Sequence, residues 1–425
     1  MLLVVGDKMG KLIGKLTVVI FALFLLIDRF VPFRGDNKKN ILFVLSEYGI
    51  GDSVCFLDVL RQLPNLFPIK QGYNVYIAGD ASVGIFFKKA GVFPEQMTFL
   101  PLKLKDRGSC SAFWYNHKIF SAKKWRRVFF LQYPGVYFRL LLTGIKYERV
   151  DAVSGGWDSR GRLVGLLNCI LPDFNMIEPS PDNMLFKMYE ETLTAFLGEH
   201  VSLSYPYIPP IMGVAKTIEG PYCIVSAGVA GSHANAARAW PIDRFAELAS
   251  FIIDKWNLDV VLCGGPAEVD IAARFMSMLP DECKKRVYDF TGRTTIEEWI
   301  ELTRGAKFVL GNDSGYIHLA AAVRTSSFVV MSYHNYGRFF PYKLASGQSE
   351  AWLPVLIESE RPACAYCDCP WFFETDHQAI DQKRKCDCMV EEKGVYDCVE
   401  TITVDFAKEI LDAWLKQNLF RIQKG

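Results

Sequence analysis

Short, wholly apolar runs recur along the chain. Each is followed by a polar or glycine-rich turn, then by a stretch whose apolar residues return every three or four positions. Residues 41–45 (Ile-Leu-Phe-Val-Leu) lead into Ser46-Glu47-Tyr48-Gly49-Ile50-Gly51-Asp52, after which Val54, Leu57, Leu60 and Leu63 mark one face of a helix over 53–66. Residues 73–78 and 97–100 repeat the strand signal, with a helix over 81–90 between them that ends at Gly91. The second half restarts the pattern, with strands at 222–225, 260–263, 287–290, 308–310 and 328–331 and helices at 242–255, 296–305 and 316–323. Apolar strands alternating with amphipathic helices predict the α/β class, with parallel sheets covered on both faces.

A chain of 425 residues suits two such domains. Pro206, Pro209, Pro210 and Gly213 mark 206–220 as a linker between a first domain, 35–205, and a second, 221–402. Residues 403–425 close the chain as an amphipathic helix, and residues 1–34 form a separate N-terminal segment.

The turns carry the chemistry. Residues 308–310 are expected to end at Gly311, and the helix that follows starts beside Asp313 or Ser314, either of which can cap it. Its first N–H groups and its dipole favour an anion, and His318 lies one turn further in. Ser226 opens a small-residue loop that closes on Arg238-Ala239-Trp240-Pro241, a place where backbone approaches a phosphate and a guanidinium clamps it. Gly264-Gly265-Pro266-Ala267-Glu268 admits a flat ligand, with Glu268 either a first-turn helix acid or a partner of a ribose diol. Asp52 either caps its helix or presents a base at the C-terminal end of its strand.

Gly311-Asn312-Asp313-Ser314-Gly315-x-x-His318-Leu319-Ala320-Ala321-Ala322 resembles the Asp-Ser/Thr-Gly-x-x-His-Leu-Ala-Ala signature of glycosyltransferase family 9, the heptosyltransferase-like enzymes. The Gly-Asp turn at 51–52 and Arg238-x-Trp240-Pro241 resemble two further elements of that family. The resemblance implies a GT-B fold, two Rossmann-like domains facing across a cleft, and inverting transfer from an ADP-heptose-like donor to a lipopolysaccharide or other surface glycan. It implies Asp52 as catalytic base, and Ser226, Arg238, Glu268, Asp313, Ser314, Gly315 and His318 at the donor. Asp313, itself negative, fits loop orientation or sugar hydroxyls better than phosphate. A carboxylate is a weak base, so proton transfer comes late in the reaction or the site strengthens it. In this fold the last helix often crosses back onto the first domain. A catalytically silent nucleotide-sugar-binding protein of the same fold is the rival reading, and Asp52 discriminates the two.

Composition narrows the partners. A formal net charge of +1 gives no basis for nucleic-acid binding. The chain has no Asp-x-Asp pair to hold a divalent metal on a diphosphate, and no Gly-x-Gly-x-x-Gly dinucleotide fingerprint. An aromatic and basic stretch, 106–147, includes Lys118, Lys123, Lys124, Arg126 and Arg127 and reads as a membrane-facing or acceptor-facing surface or as a solvated face. Lys8, Lys11 and Lys15 precede an apolar run at 16–27, which as a helix spans ~18 Å, short of the ~30 Å hydrocarbon core. It reads as a helix lying on, or dipping into, the cytoplasmic leaflet, with a helix packed on the protein's own surface as the rival; the first reading puts the protein in the cytoplasm, peripheral to the inner membrane. Six of the 12 cysteines, Cys364, Cys367, Cys369, Cys386, Cys388 and Cys398, cluster in 364–398. Structural zinc and unliganded thiols are both open there. Cys169 and Cys263 sit in apolar runs as inert core residues.

Overall fold

The computed structural model describes residues 39–46, 49–106, 109–153, 174–178, 180, 184–215, 218–229, 238–332, 339–342, 352–359, 389–390 and 394–423. They form two compact units that join in the chain at Ser204 and Tyr205.

The first unit holds a six-stranded sheet. Its strands are β1 (Lys39–Val44), β2 (Tyr73–Asp80), β3 (Thr98–Leu102), β4 (Trp125–Phe130), β5 (Tyr147–Val153) and β6 (Phe174–Ile177). The order is β3-β2-β1-β4-β5-β6, and every pairing is parallel. β1 is central and buried on both faces, which is why its sequence is a continuous apolar run without alternation. Phe43 stacks on Phe129 of β4 at 4.6 Å. The single helix expected over 53–66 is two, Ile50–Cys55 and Leu57–Leu66. The chain bends at Phe56, whose fully buried ring meets Phe87 and Tyr189.

The second unit repeats the wiring with β7 (Tyr222–Ser226), β8 (Asp259–Leu262), β9 (Val287–Asp289), β10 (Val309–Asn312), β11 (Ser327–Val330) and β12 (Pro354–Ile357), in the order β12-β11-β10-β7-β8-β9. In each unit three strands are laid outward and the fourth returns to the other side of the first. The order therefore reverses between β1 and β4, and between β7 and β10. Ligands of open α/β sheets bind beyond the carboxyl ends of the strands at such reversals.

The helix Ile242–Trp256 packs Phe245, Leu248 and Ile252 into the second core. The closing helix, Val404–Gln423, adds Ala407, Leu411 and Leu415 to that same core, with Trp414 edge-on to Phe328 and Lys255 paired to Asp412 at 2.6 Å. The first part of the segment read as linker, 206–209, is fastened to the second unit. Ile208 N donates to Ala322 O at 2.9 Å, Arg304 Nη2 donates to Ile208 O and Pro209 O at 2.9 Å, and Arg324 Nη1 donates to Pro206 O at 2.9 Å.

Among the described residues no helix is long and apolar enough to cross a membrane. The apolar run at 16–27 lies outside them.

Candidate functional site

β10 does not stop at Gly311. It continues to Asn312, with Gly311 in register with Ser226 at the end of β7. A Cβ at 311 would lie 2.8 Å from Ser226 O, so this approach needs glycine. Asn312 is fully buried and links two distant backbones. Its Oδ1 accepts from Trp240 N at 2.9 Å and its Nδ2 donates to Ala227 O at 2.7 Å. These atoms flank the loop that leaves β7, so one side chain ties both ends of it to the carboxyl end of β10. Trp240 is anchored again by Nε1 donating to Ile402 O at 2.9 Å. Asn312→Ala leaves a buried N–H and a buried C=O unpaired. It is expected to lower the stability of the second unit by about 2–4 kcal/mol, measured by urea denaturation.

Two residues before Trp240, Arg238 reaches the start of the helix Gly315–Ala322. Its Nη1 lies 3.4 Å from Asp313 Oδ2, and the two side chains are 12% and 7% exposed. This is loose for a charge-assisted contact, which closes to about 2.7–2.9 Å at its best. Ser314 is the N-cap, in extended backbone (φ −148°, ψ 170°), but its Oγ makes no capping bond. That hydroxyl is buried and finds no hydrogen-bond partner. The carboxyl end of β10 thus combines helix N–H groups, a cation in a loose pair and an uncommitted hydroxyl.

Glu268 stands at the neighbouring strand end. Its Oε2 accepts from Gly265 N at 2.6 Å. Its carboxylate fills space that a side chain at Gly228 or Gly264 would occupy. The small pocket there, lined in part by Val225, Gly228, Cys263, Glu268 and Thr291, has a cavity volume of ≈ 20 Å³, room for one water. Burial pushes the Glu268 carboxyl above its ordinary value, and the Gly265 N–H opposes the rise. Between the ordinary and the raised value the folded chain holds the proton more tightly than the unfolded chain, so stability falls as pH rises through that window. Glu268→Gln removes the penalty. Its melting temperature is expected above that of wild type at pH 7 and equal to it below the ordinary carboxylate range, in thermal scans at both pH values. Cys263, 4% exposed, has its thiol pushed up to about 12 by burial, in keeping with an inert core residue.

His318 is 3% exposed. Its ring stacks on Phe340 at 4.7 Å, meets Phe339 edge-on at 5.3 Å, and places Nδ1 2.6 Å from Tyr342 Oη. The segment 339–342 therefore walls in a ring that helix periodicity alone set beside the cap.

In the first unit Asp52, half-buried, is the third residue of the helix Ile50–Cys55. Its Oδ2 accepts from Gly49 N at 3.1 Å, which closes the helix start. Its Oδ1 accepts from Gln132 Nε2 at 3.4 Å, and the same amide donates to Tyr189 Oη at 2.9 Å. Capping and a place at the β1/β4 reversal are thus compatible. Gln132 escaped the sequence reading. Its signal was a polar residue directly after the apolar run 128–131, ahead of Pro134-Gly135.

Among the described residues no group of three or more His, Cys, Asp or Glu could hold a metal ion. Residues 230–237 and 333–338, and Cys364, Cys367, Cys369, Cys386 and Cys388, lie outside those residues. Cys398 is half-buried.

Residues 218–354 match glycosyltransferase family 9 (heptosyltransferase). Over 191 residues, 45% of this chain, the sequence is 26% identical to lipooligosaccharide heptosyltransferase 2 of Haemophilus influenzae, and the match spans 46% of that protein, under half its length. Among solved structures, the E. coli ADP-heptose lipopolysaccharide heptosyltransferase II aligns with a TM-score of 0.59 at 17% identity, covering 89% of this chain and 99% of that one. An E. coli heptosyltransferase solved with ADP-2-deoxy-2-fluoro heptose aligns with a TM-score of 0.58 at 14% identity, covering 88% and 99%. At such identities the likeness establishes the fold: two parallel-sheet α/β units of the GT-B type.

Proposed function

As residues 218–354 match glycosyltransferase family 9, we propose that the protein moves a sugar from a nucleoside-diphosphate donor to a hydroxyl of lipopolysaccharide core or another surface glycan. The observation that carries this reading is the gathering of Arg238, Asp313 and the uncommitted Ser314 hydroxyl at the β7/β10 reversal. The donor diphosphate sits on the first N–H groups of the helix Gly315–Ala322 and on Ser314 Oγ. Arg238 turns from its loose contact with Asp313 to the phosphates and stabilises the charge that develops on the leaving diphosphate. Asp313 is left to orient the loop and to meet sugar hydroxyls. Ser226 flanks the phosphates, Glu268 takes the ribose diol, and His318 supports the helix start from behind through its aromatic packing.

Asp52 accepts the proton of the acceptor hydroxyl as that oxygen attacks the anomeric carbon, opposite the leaving diphosphate, and inverts its configuration. Gln132 and Gly49 N hold the carboxylate in one orientation. The likeness to an enzyme solved with an ADP-heptose analogue favours ADP-heptose as donor. The lysines and apolar run at 8–27 support a place at the cytoplasmic face of the inner membrane, where such acceptors are built.

The test is transfer itself. Purified protein, ADP-heptose and glycan acceptors stripped of outer sugars are expected to release ADP and to add one heptose mass to the acceptor. If no member of a panel of ADP-, UDP- and GDP-sugars is turned over with any acceptor, the reading is wrong.

A further inference from the structure

We infer that the amino-terminal edge of the first unit's sheet docks on an anionic membrane surface. This deepens the membrane reading above and rests on it.

A parallel sheet has two unlike edges. Asp52 and Gln132 follow the carboxyl ends of β1 and β4. The opposite edge is cationic. Lys39 opens β1, Lys70 lies in the turn Ile69–Gln71 before β2, and Lys118 ends the helix Cys110–Ser121 as it returns to that edge. Lys124 and Arg126 flank the start of β4, and Lys146 directly precedes β5. The acids interspersed there include Glu95, ahead of β3, Glu148, which pairs with Lys124 at 3.1 Å, and Glu199. A chain of net charge +1 therefore concentrates positive charge on one rim. Lys70, Lys118 and Arg126 are exposed, and Ile69 beside them is 51% exposed.

Arg127, grouped with these residues in the sequence, is not part of the rim. It turns inward, with Nε and Nη2 donating to the fully buried Asp151 at 2.8 and 2.6 Å. Lys123 lies over the Tyr76 ring at 5.1 Å.

Topology separates two readings that the sequence left joined. An acceptor hydroxyl has to reach Asp52, one strand length away, and β1 with its six residues spans ~20 Å. The rim therefore cannot hold the group being modified. It fits anionic headgroups that stay in the membrane plane. The chain also enters β1 on this edge, and the lysines and apolar run at 8–27 precede it. Basic clusters next to membrane-seeking segments bind anionic lipid, each cation adding about fivefold. Docked this way, Asp52 stands ~20 Å above the headgroups, which suits a sugar projecting from its lipid on an already extended glycan.

The experiment is vesicle flotation of the full chain with phosphatidylcholine alone and with phosphatidylcholine–phosphatidylglycerol. The apolar run contributes to both, so the readout is the ratio. Wild type is expected to favour the anionic vesicles by about tenfold or more, and added salt is expected to abolish the preference. Lys118→Glu/Arg126→Glu is expected to bring the ratio near unity. Lys284→Glu/Lys285→Glu, the same charge change on the second unit, is expected to preserve it. A ratio that survives the rim reversal, or that falls equally in the Lys284/Lys285 control, overturns the inference. So does a rim that retains duplex DNA but shows no vesicle preference. Thermal shift with ADP is read in parallel. Its failure counts against the glycosyltransferase reading and leaves the vesicle ratio interpretable.

Discussion

Asp52→Asn is expected to bind donor as wild type does and to turn over about 10²–10⁴-fold more slowly, the range typical of a lost general base. The substitution separates two jobs of one side chain. An Asn at 52 still offers an oxygen to Gly49 N, which now lies 3.1 Å from Oδ2, so the helix start survives. What disappears is the capacity to take a proton. The other side of the group changes too. Gln132 Nε2 donates to Oδ1 at 3.4 Å and is fixed by Tyr189, so an amide at 52 turns its oxygen toward Gly49 or toward Gln132, not both. Calorimetric titration with donor, steady-state kinetics and a thermal scan together decide the matter. Unchanged turnover would remove Asp52 from the chemistry. Lost donor binding or a collapsed melting temperature would show a structural role only.

The second large effect concerns the leaving group. Arg238→Met is expected to lower kcat/KM for the donor by about 10²–10³-fold, as removal of a charge-stabilising donor typically does. The Met side chain keeps much of the apolar stem volume, so packing beside Trp240 changes little. Arg238→Lys is expected to fall between the two, since an ammonium keeps the charge and loses the bidentate fork. The Asp313 carboxylate enters with the opposite sign. Its Oδ2 lies 3.4 Å from Arg238 Nη1, and that contact is expected to be given up when phosphate arrives. If Arg238→Met left kcat/KM within about threefold of wild type, the diphosphate would have to be held without Arg238, by the helix N–H groups and the Ser314 hydroxyl.

Much of the fold was legible along the chain because the signals are local. The apolar runs at 41–45 and 222–225 are continuous since the strands they form lie at the centre of a sheet, covered on both faces. The helix expected at 296–305 is found at Ile296–Gly305, and Thr295 and Glu298 close its start reciprocally. Local reading failed where a residue answers to a distant neighbour. Gly311 looked like a strand end, but it is the residue that lets β10 lie against Ser226 of β7. Arg127 looked like part of a surface cluster, but it satisfies Asp151 across the β4/β5 pairing. At His318 the chain alone set the position one turn inside the cap, and the segment more than twenty residues later that packs on its ring came with the tertiary structure.

The sequence by itself determined where strands, turns and helices fall and which turns carry small, polar and charged side chains, because backbone propensity and hydrophobic period act over a few residues. Only the tertiary structure decided which strand ends come together. Asn312 meets Trp240 and Ala227 across 72 and 85 residues, and Asp52 meets Gln132 across 80. Such pairings follow from strand order and register, which are set by burying two whole sheets and not by any local stretch of chain.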